Sequence, residues 1–390
     1  MRFGFYIICL ALLSGFVAPA MGQNPTPFGS NRSNSDSYKP VPSLVVPHAT
    51  LDPTTGDLLL LSNGWPNQPI NLRRFHTDGT PDPKFILQRF ESCCAPHPSL
   101  VAADSKGNIY VLEYRGDLGG FYLYKHAPSG KLDIDWGFGD KSTSSSSGSY
   151  GGSGKGTGSQ VSKGSNKAET TLNWNAGGGR IQLRLRNPVD MVPRSDGSLL
   201  VLEQAIRTVY IVDPAGTSIS QFIGSRDYIP INPFRLIDDR NGNLYMLDYY
   251  DQFDPVRKGK VGVFKFNPDG SFVKGWGEVS NGINAPYPPT IDFLTLVVDG
   301  QDNMIALGGD FAGANHGEVF TFDLAGGSQK SRKSVDYMMG PDTGFLGMVG
   351  GLQSGFVLLE ARDFTVLVNY YDTNGKRNSQ IQIKNLYQAE

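Results

Sequence analysis

The 390-residue chain carries 37 acidic and 35 basic side chains, which gives a formal net charge of -2 at neutral pH. This balance argues against a nucleic-acid-binding protein, because such proteins display an excess of basic side chains. The 48 glycines and 25 prolines favour an all-β protein with many turns.

The first 22 residues have the features of a signal peptide. Arg2 provides a basic start, residues 5–17 form an apolar core, and small residues around Ala20 offer a cleavage point before Gln23. The apolar run is shorter than the roughly 20 residues of a membrane-spanning helix, which makes an uncleaved anchor the weaker alternative. We therefore expect a secreted or periplasmic protein with no membrane span in the mature chain. Residues 23–42, rich in Pro, Ser and Asn, predict a flexible lead-in.

Residues 43–390 contain six copies of a pair of landmarks. The first landmark is a turn that leads directly into an apolar strand, and its copies begin at Gly56, Gly107, Gly197, Gly242, Asp302 and Ser354. The second is a tight turn that follows roughly 20 residues later, with the turn glycines Gly79, Gly130, Gly216, Gly270, Gly326 and Gly375. Each copy reads as four strands, and a four-stranded unit repeated around an axis is a propeller blade. The pattern predicts a six-bladed β-propeller of four-stranded antiparallel blades.

A low-complexity segment of Ser, Gly and Lys residues at 141–167 interrupts the repeats. The segment widens the spacing between the second and third copies, and it has too few apolar residues to pack against a core. We expect a disordered insertion that follows blade two.

Copies two, three and four resemble the NHL repeat. Residues 107–113 and 242–248 both show its Gly-Asn turn, apolar strand and acidic residue, and residues 267–270 resemble its closing Pro-Asp-Gly turn. Residues 72–85 and 131–139 are similar to the delta-60 repeat, another propeller-type repeat. Copies five and six depart from the pattern, because Asp302 and Ser354 stand where the turn glycine belongs. The resemblance implies a propeller, and a fold does not determine a function.

Acidic residues recur where the second strand of a copy ends, six residues past the start of the first landmark. The six equivalent positions are Ser62, Glu113, Glu203, Asp248, Gly308 and Glu360. Equivalent residues of a propeller lie on one face, so the acids predict a partial carboxylate ring that could bind Ca²⁺ or a cationic ligand. The alternative is that each acid accepts backbone N–H bonds within its own blade.

Three histidines are expected to open on the same face as the acids. His48 and His97 enter first strands, and His316 precedes a third strand. Three histidines can bind Zn²⁺, and one enzyme of this broad fold, the peptidyl-hydroxyglycine amidating lyase, uses a histidine-bound metal at its centre. The alternative function is therefore a metal-dependent lyase or hydrolase acting at the central mouth. The chain resembles that lyase in fold only.

Cys93 and Cys94 are the only cysteines of the mature chain, and they are adjacent. Export favours their oxidation to a vicinal disulfide, while two free thiols or a link to another chain remain open. They precede His97, which places them on the predicted acidic face.

The function that the sequence favours is a secreted propeller that acts as a binding or scaffold module. Its ligand would be a protein, peptide or glycan that contacts the face carrying Glu113, Glu203, Asp248, Glu360 and His97.

Overall fold

The computed structural model describes residues 45–63, 70–85, 88–90, 100–115, 119–137, 179–223, 230–249, 261–277, 283–284, 291–310, 317–335, 343–351, 353–362 and 365–383. The predicted signal peptide, the predicted lead-in and the low-complexity segment lie outside these residues. So do Cys93, Cys94, His97 and His316, and what the sequence predicts for all of them stays a prediction. Within the described ranges no helix is long and apolar enough to cross a membrane.

The strands form six four-stranded antiparallel sheets, each built from four consecutive strands. Blades one to three contain β1 (Val45–Leu51), β2 (Leu58–Asn63), β3 (Ile70–Phe75), β4 (Gln88–Phe90), β5 (Leu100–Ala103), β6 (Ile109–Arg115), β7 (Gly120–His126), β8 (Arg180–Leu183), β9 (Pro188–Pro193), β10 (Leu199–Glu203), β11 (Thr208–Val212) and β12 (Ile219–Ile223). Blades four to six contain β13 (Arg235–Asp238), β14 (Leu244–Tyr249), β15 (Val261–Phe266), β16 (Ile283–Asn284), β17 (Ile291–Val298), β18 (Met304–Asp310), β19 (Gly317–Phe322), β20 (Gln329–Val335), β21 (Thr343–Gly350), β22 (Phe356–Arg362), β23 (Thr365–Tyr371) and β24 (Arg377–Ile383).

The six sheets are arranged as a closed ring. The first strand of each blade contacts the first strand of the next, and β21 of blade six contacts β1 of blade one. These first strands therefore line a central channel. The structure confirms the predicted six-bladed β-propeller.

Both predicted turns recur in every blade. In the first turn, the backbone N–H of the residue after the first strand donates to a carbonyl just before the second strand, as in Asp104 to Asn108 and Asp239 to Asn243. The departures in copies five and six leave this turn intact. Asp302 adopts the left-handed conformation of a turn glycine (φ 59°), and in copy six that conformation belongs to Gly355 (φ 84°), one residue past Ser354. Asp tolerates this region because its short side chain bonds locally.

Two boundaries differ from the sequence prediction. Strand β8 pairs with β7, with Phe121 opposite Leu183, so residues 141–167 fall in the chain between the third and fourth strands of blade two. The prediction that this segment follows blade two was wrong, because a four-residue outer strand gives too short an apolar pattern to be recognised. In copy five the left-handed glycine of the second turn is Gly327 (φ 74°) rather than Gly326.

Apolar side chains fill the spaces between neighbouring blades. The second strands are buried along nearly their whole length, as in Leu199–Glu203, because both faces of a blade are covered by its neighbours. Blade six packs on blade one through a cluster that includes Leu58, Leu60, Val357 and Leu359. Apolar burial therefore joins the first blade to the last.

Candidate functional site on the loop face and in the channel

The two ends of the channel differ in their connections. The first and second turns lie at one end, which we call the turn face. The connections from second to third strands, and the segments that enter each blade, lie at the other end, which we call the loop face. The predicted acidic positions lie at the loop face, because each is at the end of its second strand.

Glu203 is completely buried at the end of β10. Its carboxylate accepts hydrogen bonds from the backbone N–H groups of Arg186 (2.8 Å), Asn187 (2.9 Å) and Ala205 (3.0 Å). Residues 186 and 187 lead into the first strand of the same blade. The carboxylate thus fixes both the segment that enters blade three and the turn after β10, since buried N–H groups require an acceptor.

Asp248 occupies the same position in blade four and is also completely buried. It accepts the backbone N–H groups of Ile231 (2.8 Å) and Asn232 (2.6 Å), which lead into the first strand of that blade. Glu203 and Asp248 therefore make the local bonds that the sequence analysis gave as the alternative to a ligand role.

The other four predicted positions also lie on second strands. Glu113 lies at 1% exposure opposite Tyr122, and Glu360 lies at 8% exposure opposite Leu367. Ser62 and Gly308 occupy the ends of β2 and β18 without a carboxylate. A direct contact of the four acids with a ligand stays a prediction.

The register of the first two strands defines a layer around the channel. In every blade the residue just before the predicted acidic position is a leucine: Leu61, Leu112, Leu202, Leu247, Leu307 and Leu359. The first-strand residues opposite these leucines are His48, Leu100, Asp190, Arg235, Thr295 and Gly347, which we call the channel ring. The six leucines thus form an apolar layer, and the channel ring opposite them is a mixture of polar and apolar residues.

Two members of the channel ring accept a backbone N–H from the next blade. Asp190 Oδ2 accepts the N–H of Leu236 at 2.8 Å, and His48 Nδ1 accepts the N–H of Val101 at 3.3 Å. Both donors lie one residue past the channel-ring position of their own blade. The channel-facing edge of a first strand has unpaired N–H groups, and side chains of the preceding blade supply acceptors for two of them.

Arg235 reaches across the channel from blade four. Its Nη1 lies 3.3 Å from Asp190 Oδ1 of blade three, and its Nη2 donates to the carbonyl oxygen of Met348 in blade six at 3.3 Å. Blades four and six are not neighbours, so this contact spans the channel. Burial raises the pKa of Asp190 and Arg235 opposes that shift. Burial, and then the charge of Arg235, lower the pKa of His48 to about 4.

Asp238 is another titratable residue on the first strands of the channel. It ends β13, and its pKa is raised to about 7, mainly by burial. Nearby Arg194 acts in the opposite direction. The sequence analysis missed Asp190, Arg235 and Asp238. The sequence signal for Asp190 and Arg235 was the leucine that precedes the acidic position in all six copies. The first-strand residue that pairs with this leucine is the channel-ring residue.

The predicted zinc site can be compared with the structure at one residue. His48 lies in β1 and uses Nδ1 as an acceptor, while His97 and His316 are outside the described residues. In the parts of the chain that the structure describes, no three His, Cys, Asp or Glu side chains are grouped so that they could hold a metal ion. The three-histidine site stays a prediction.

Neither a protein-family model nor a curated protein sequence matches the chain. Solved structures with a similar course of the chain include the nidogen/laminin complex, at 12% identity and a TM-score of 0.46, covering 83% of this chain and 92% of that one. Streptogramin B lyase has 9% identity and a TM-score of 0.44, and the match covers 88% of this chain and 83% of the lyase. YCF48 from Cyanidioschyzon merolae has 7% identity and a TM-score of 0.42, and the match covers 87% of this chain and 85% of YCF48. Likeness at this level carries no argument about function.

Proposed function

We propose that this protein is an exported six-bladed propeller that acts as a binding or scaffold module and presents its loop face to a protein, peptide or glycan. The observation that carries this proposal is that Glu203 and Asp248 bind the backbone of the loop-face segments. Both carboxylates are completely buried and accept backbone N–H groups, so they hold the loop-face segments in fixed positions. A pre-organised surface binds with a smaller loss of conformational entropy.

The same proposal assigns the repeats of this scaffold to the NHL-like type. The Asp104 and Asp239 carboxylates each accept two backbone N–H groups of the first turn and a tyrosine hydroxyl, from Tyr110 and Tyr245 respectively. This shared turn chemistry supports one ancestral repeat for blades two and four. Export rests on the N-terminal segment, and mass spectrometry of the mature protein would test it: a chain that begins at Gln23 is expected.

Site-directed photo-crosslinking tests which face binds. Ile206 is 43% exposed in the turn between β10 and β11 on the loop face, and Ile134 is 59% exposed beside the second turn of blade two on the turn face. A photoreactive amino acid at either position replaces an exposed isoleucine, so the two variants form a matched pair. With the exported fraction of the native source, crosslinks from position 206 and none from position 134 are expected. Crosslinks from position 134 alone would overturn the assignment of the face.

Metal analysis of the purified mature protein tests the alternative of a metal-dependent lyase or hydrolase. We expect that no stoichiometric Zn²⁺ depends on His97. One equivalent of Zn²⁺ that is lost in the His97→Ala variant would replace the scaffold proposal with the metal-dependent enzyme.

A further inference from the structure

The channel ring has polar groups on opposite sides of the channel. His48 belongs to blade one, and Arg235 belongs to blade four, three blades away in a ring of six. The guanidinium of Arg235 already reaches the Met348 carbonyl of blade six, and the first strand of blade six contacts the strand that carries His48. Asp190 and Thr295 occupy the equivalent positions of blades three and five.

We propose that a small carboxylate binds in the central channel between Arg235 and His48.

Arg235 is incompletely paired for a cation whose side chain is only 17% exposed. Its two hydrogen bonds, to Asp190 and Met348, are both 3.3 Å long, and its Nε is buried without a partner. Charge-assisted bonds of a guanidinium to a carboxylate are normally shorter, and buried polar atoms are normally satisfied. The acceptor in the bond to Met348 is a neutral carbonyl, and a carboxylate oxygen in its place would form a stronger bond.

His48 supplies a second donor. Its Nδ1 accepts the N–H of Val101, so the neutral ring carries its proton on Nε2. Two donors on opposite walls suit a ligand with two acceptor oxygens. A cation is disfavoured there because it would meet the guanidinium and the imidazole N–H.

The ring also leaves room beside the Met348 carbonyl. Gly347 occupies the blade-six position, and a β-carbon built on it would meet no atom of the described residues within 4 Å. The other five positions carry side chains.

The local charge favours a single negative charge on the ligand. Asp190 already accepts the N–H groups of Met191 (3.0 Å) and Leu236 (2.8 Å) as well as Arg235, so it balances the guanidinium. Asp238 is the other acid of the Arg235 strand. A dianion such as phosphate would be repelled by these acids, whereas a monoanionic carboxylate adds one charge and gains two donors.

This site does not depend on the proposed loop-face function, because the ligand would lie inside the ring. It could be a free organic acid or the acidic side chain of a polypeptide, since both present the same group.

The test uses the mature protein with ¹³C-labelled histidine and acetate as the probe. For so small a ligand we expect saturable shifts of the His48 resonances with a Kd on the order of 1 mM. Bound acetate should also raise the pKa of His48 by about one unit, because a neighbouring anion favours the imidazolium. Acetamide, the neutral analogue, and chloride at matched ionic strength should cause neither effect. His48 resonances that do not respond to acetate, or respond equally to acetamide, would overturn the proposal.

Two variants separate binding from folding. Gly347→Val fills the open space and leaves the Arg235 contacts in place, and Arg235→Gln removes the charge. Each should weaken acetate binding by at least about tenfold. Unchanged binding in a folded Gly347→Val protein would place the acetate elsewhere and refute the site. An acetylated peptide with one glutamate then distinguishes the two sources: displacement of acetate indicates a polypeptide carboxylate, and no displacement indicates a free acid.

Discussion

The role of Glu203 leads to the sharpest prediction about the loop face. Replacing it with alanine leaves the N–H groups of Arg186, Asn187 and Ala205 without their acceptor at a site with no solvent access. Each orphaned buried donor costs about 1–3 kcal/mol, although relaxation makes the three costs less than additive. We expect a loss of about 3 kcal/mol in the free energy of local opening.

Hydrogen exchange measured by NMR reports this opening directly. A change of about 3 kcal/mol corresponds to exchange that is roughly 100-fold faster at the amides of Asn187 and Ala205. Glu203→Gln keeps one acceptor oxygen and should give a smaller increase. The control is Glu318→Gln, which removes a partly exposed ion pair with Arg332 (2.7 Å) and should cost under about 1 kcal/mol. If Glu203→Ala leaves these amides as protected as in the wild type, the carboxylate does not organise the loop face.

Three further predictions concern packing and pH. Gly216→Ala should destabilise the protein far more than Gly275→Ala in urea unfolding. Both glycines have a positive φ, but only the β-carbon added at Gly216 would collide with a side chain, because it would lie 2.6 Å from the ring of Trp136. Trp276→Phe should cost about 1 kcal/mol in the same assay, because it removes a 3.1 Å hydrogen bond from the indole to a carbonyl of blade five. Asp238→Asn should raise the free energy of unfolding by about 4 kcal/mol at pH 8 and leave it almost unchanged at pH 3.5. The folded carboxyl has a pKa of about 7, above its unfolded value of 3.8, so its ionisation destabilises the fold as the pH rises through this window; equal effects at both pH values would contradict this reasoning.

The blade architecture could be predicted from the sequence because it depends on local turn chemistry. Each first turn needs one left-handed residue and each second strand needs an apolar run, and both are visible without a partner strand. Asp302 shows the limit of a glycine search, since it adopts the left-handed conformation of a turn glycine. The outer strand β8 was misplaced because its four residues lie far from the turn at Gly130 in the sequence.

The channel ring could not be predicted because its members share no residue type. His48, Asp190 and Arg235 become equivalent only when the first strands are paired with the second strands. Register is a property of two segments, and bulges beside His48 and Asp190 shift it further. The acids Glu203 and Asp248, by contrast, lie on the second strands, which the landmarks align directly.

Two kinds of polar contact recur between neighbouring blades. At the interfaces of blades one with two and three with four, His48 and Asp190 accept a backbone N–H from the next blade. Asp299 does the same for Gly355 between blades five and six, at 2.8 Å. At the interfaces of blade two with three and of blade four with five, the indole N–H groups of Trp136 and Trp276 donate to carbonyls of the following blade.

The interface of blade six with blade one is the place where the ends of the propeller meet. No sheet takes strands from both ends of the described chain, so this contact rests on packing between two complete blades. Leu58 and Leu60 of blade one bury against Val357 and Leu359 of blade six. Arg235 adds to this closure from the opposite wall, since its bond to Met348 holds the first strand of blade six from inside the channel. A ligand that took this bond from Met348 would therefore act on the first strand of blade six, next to the contact that closes the ring.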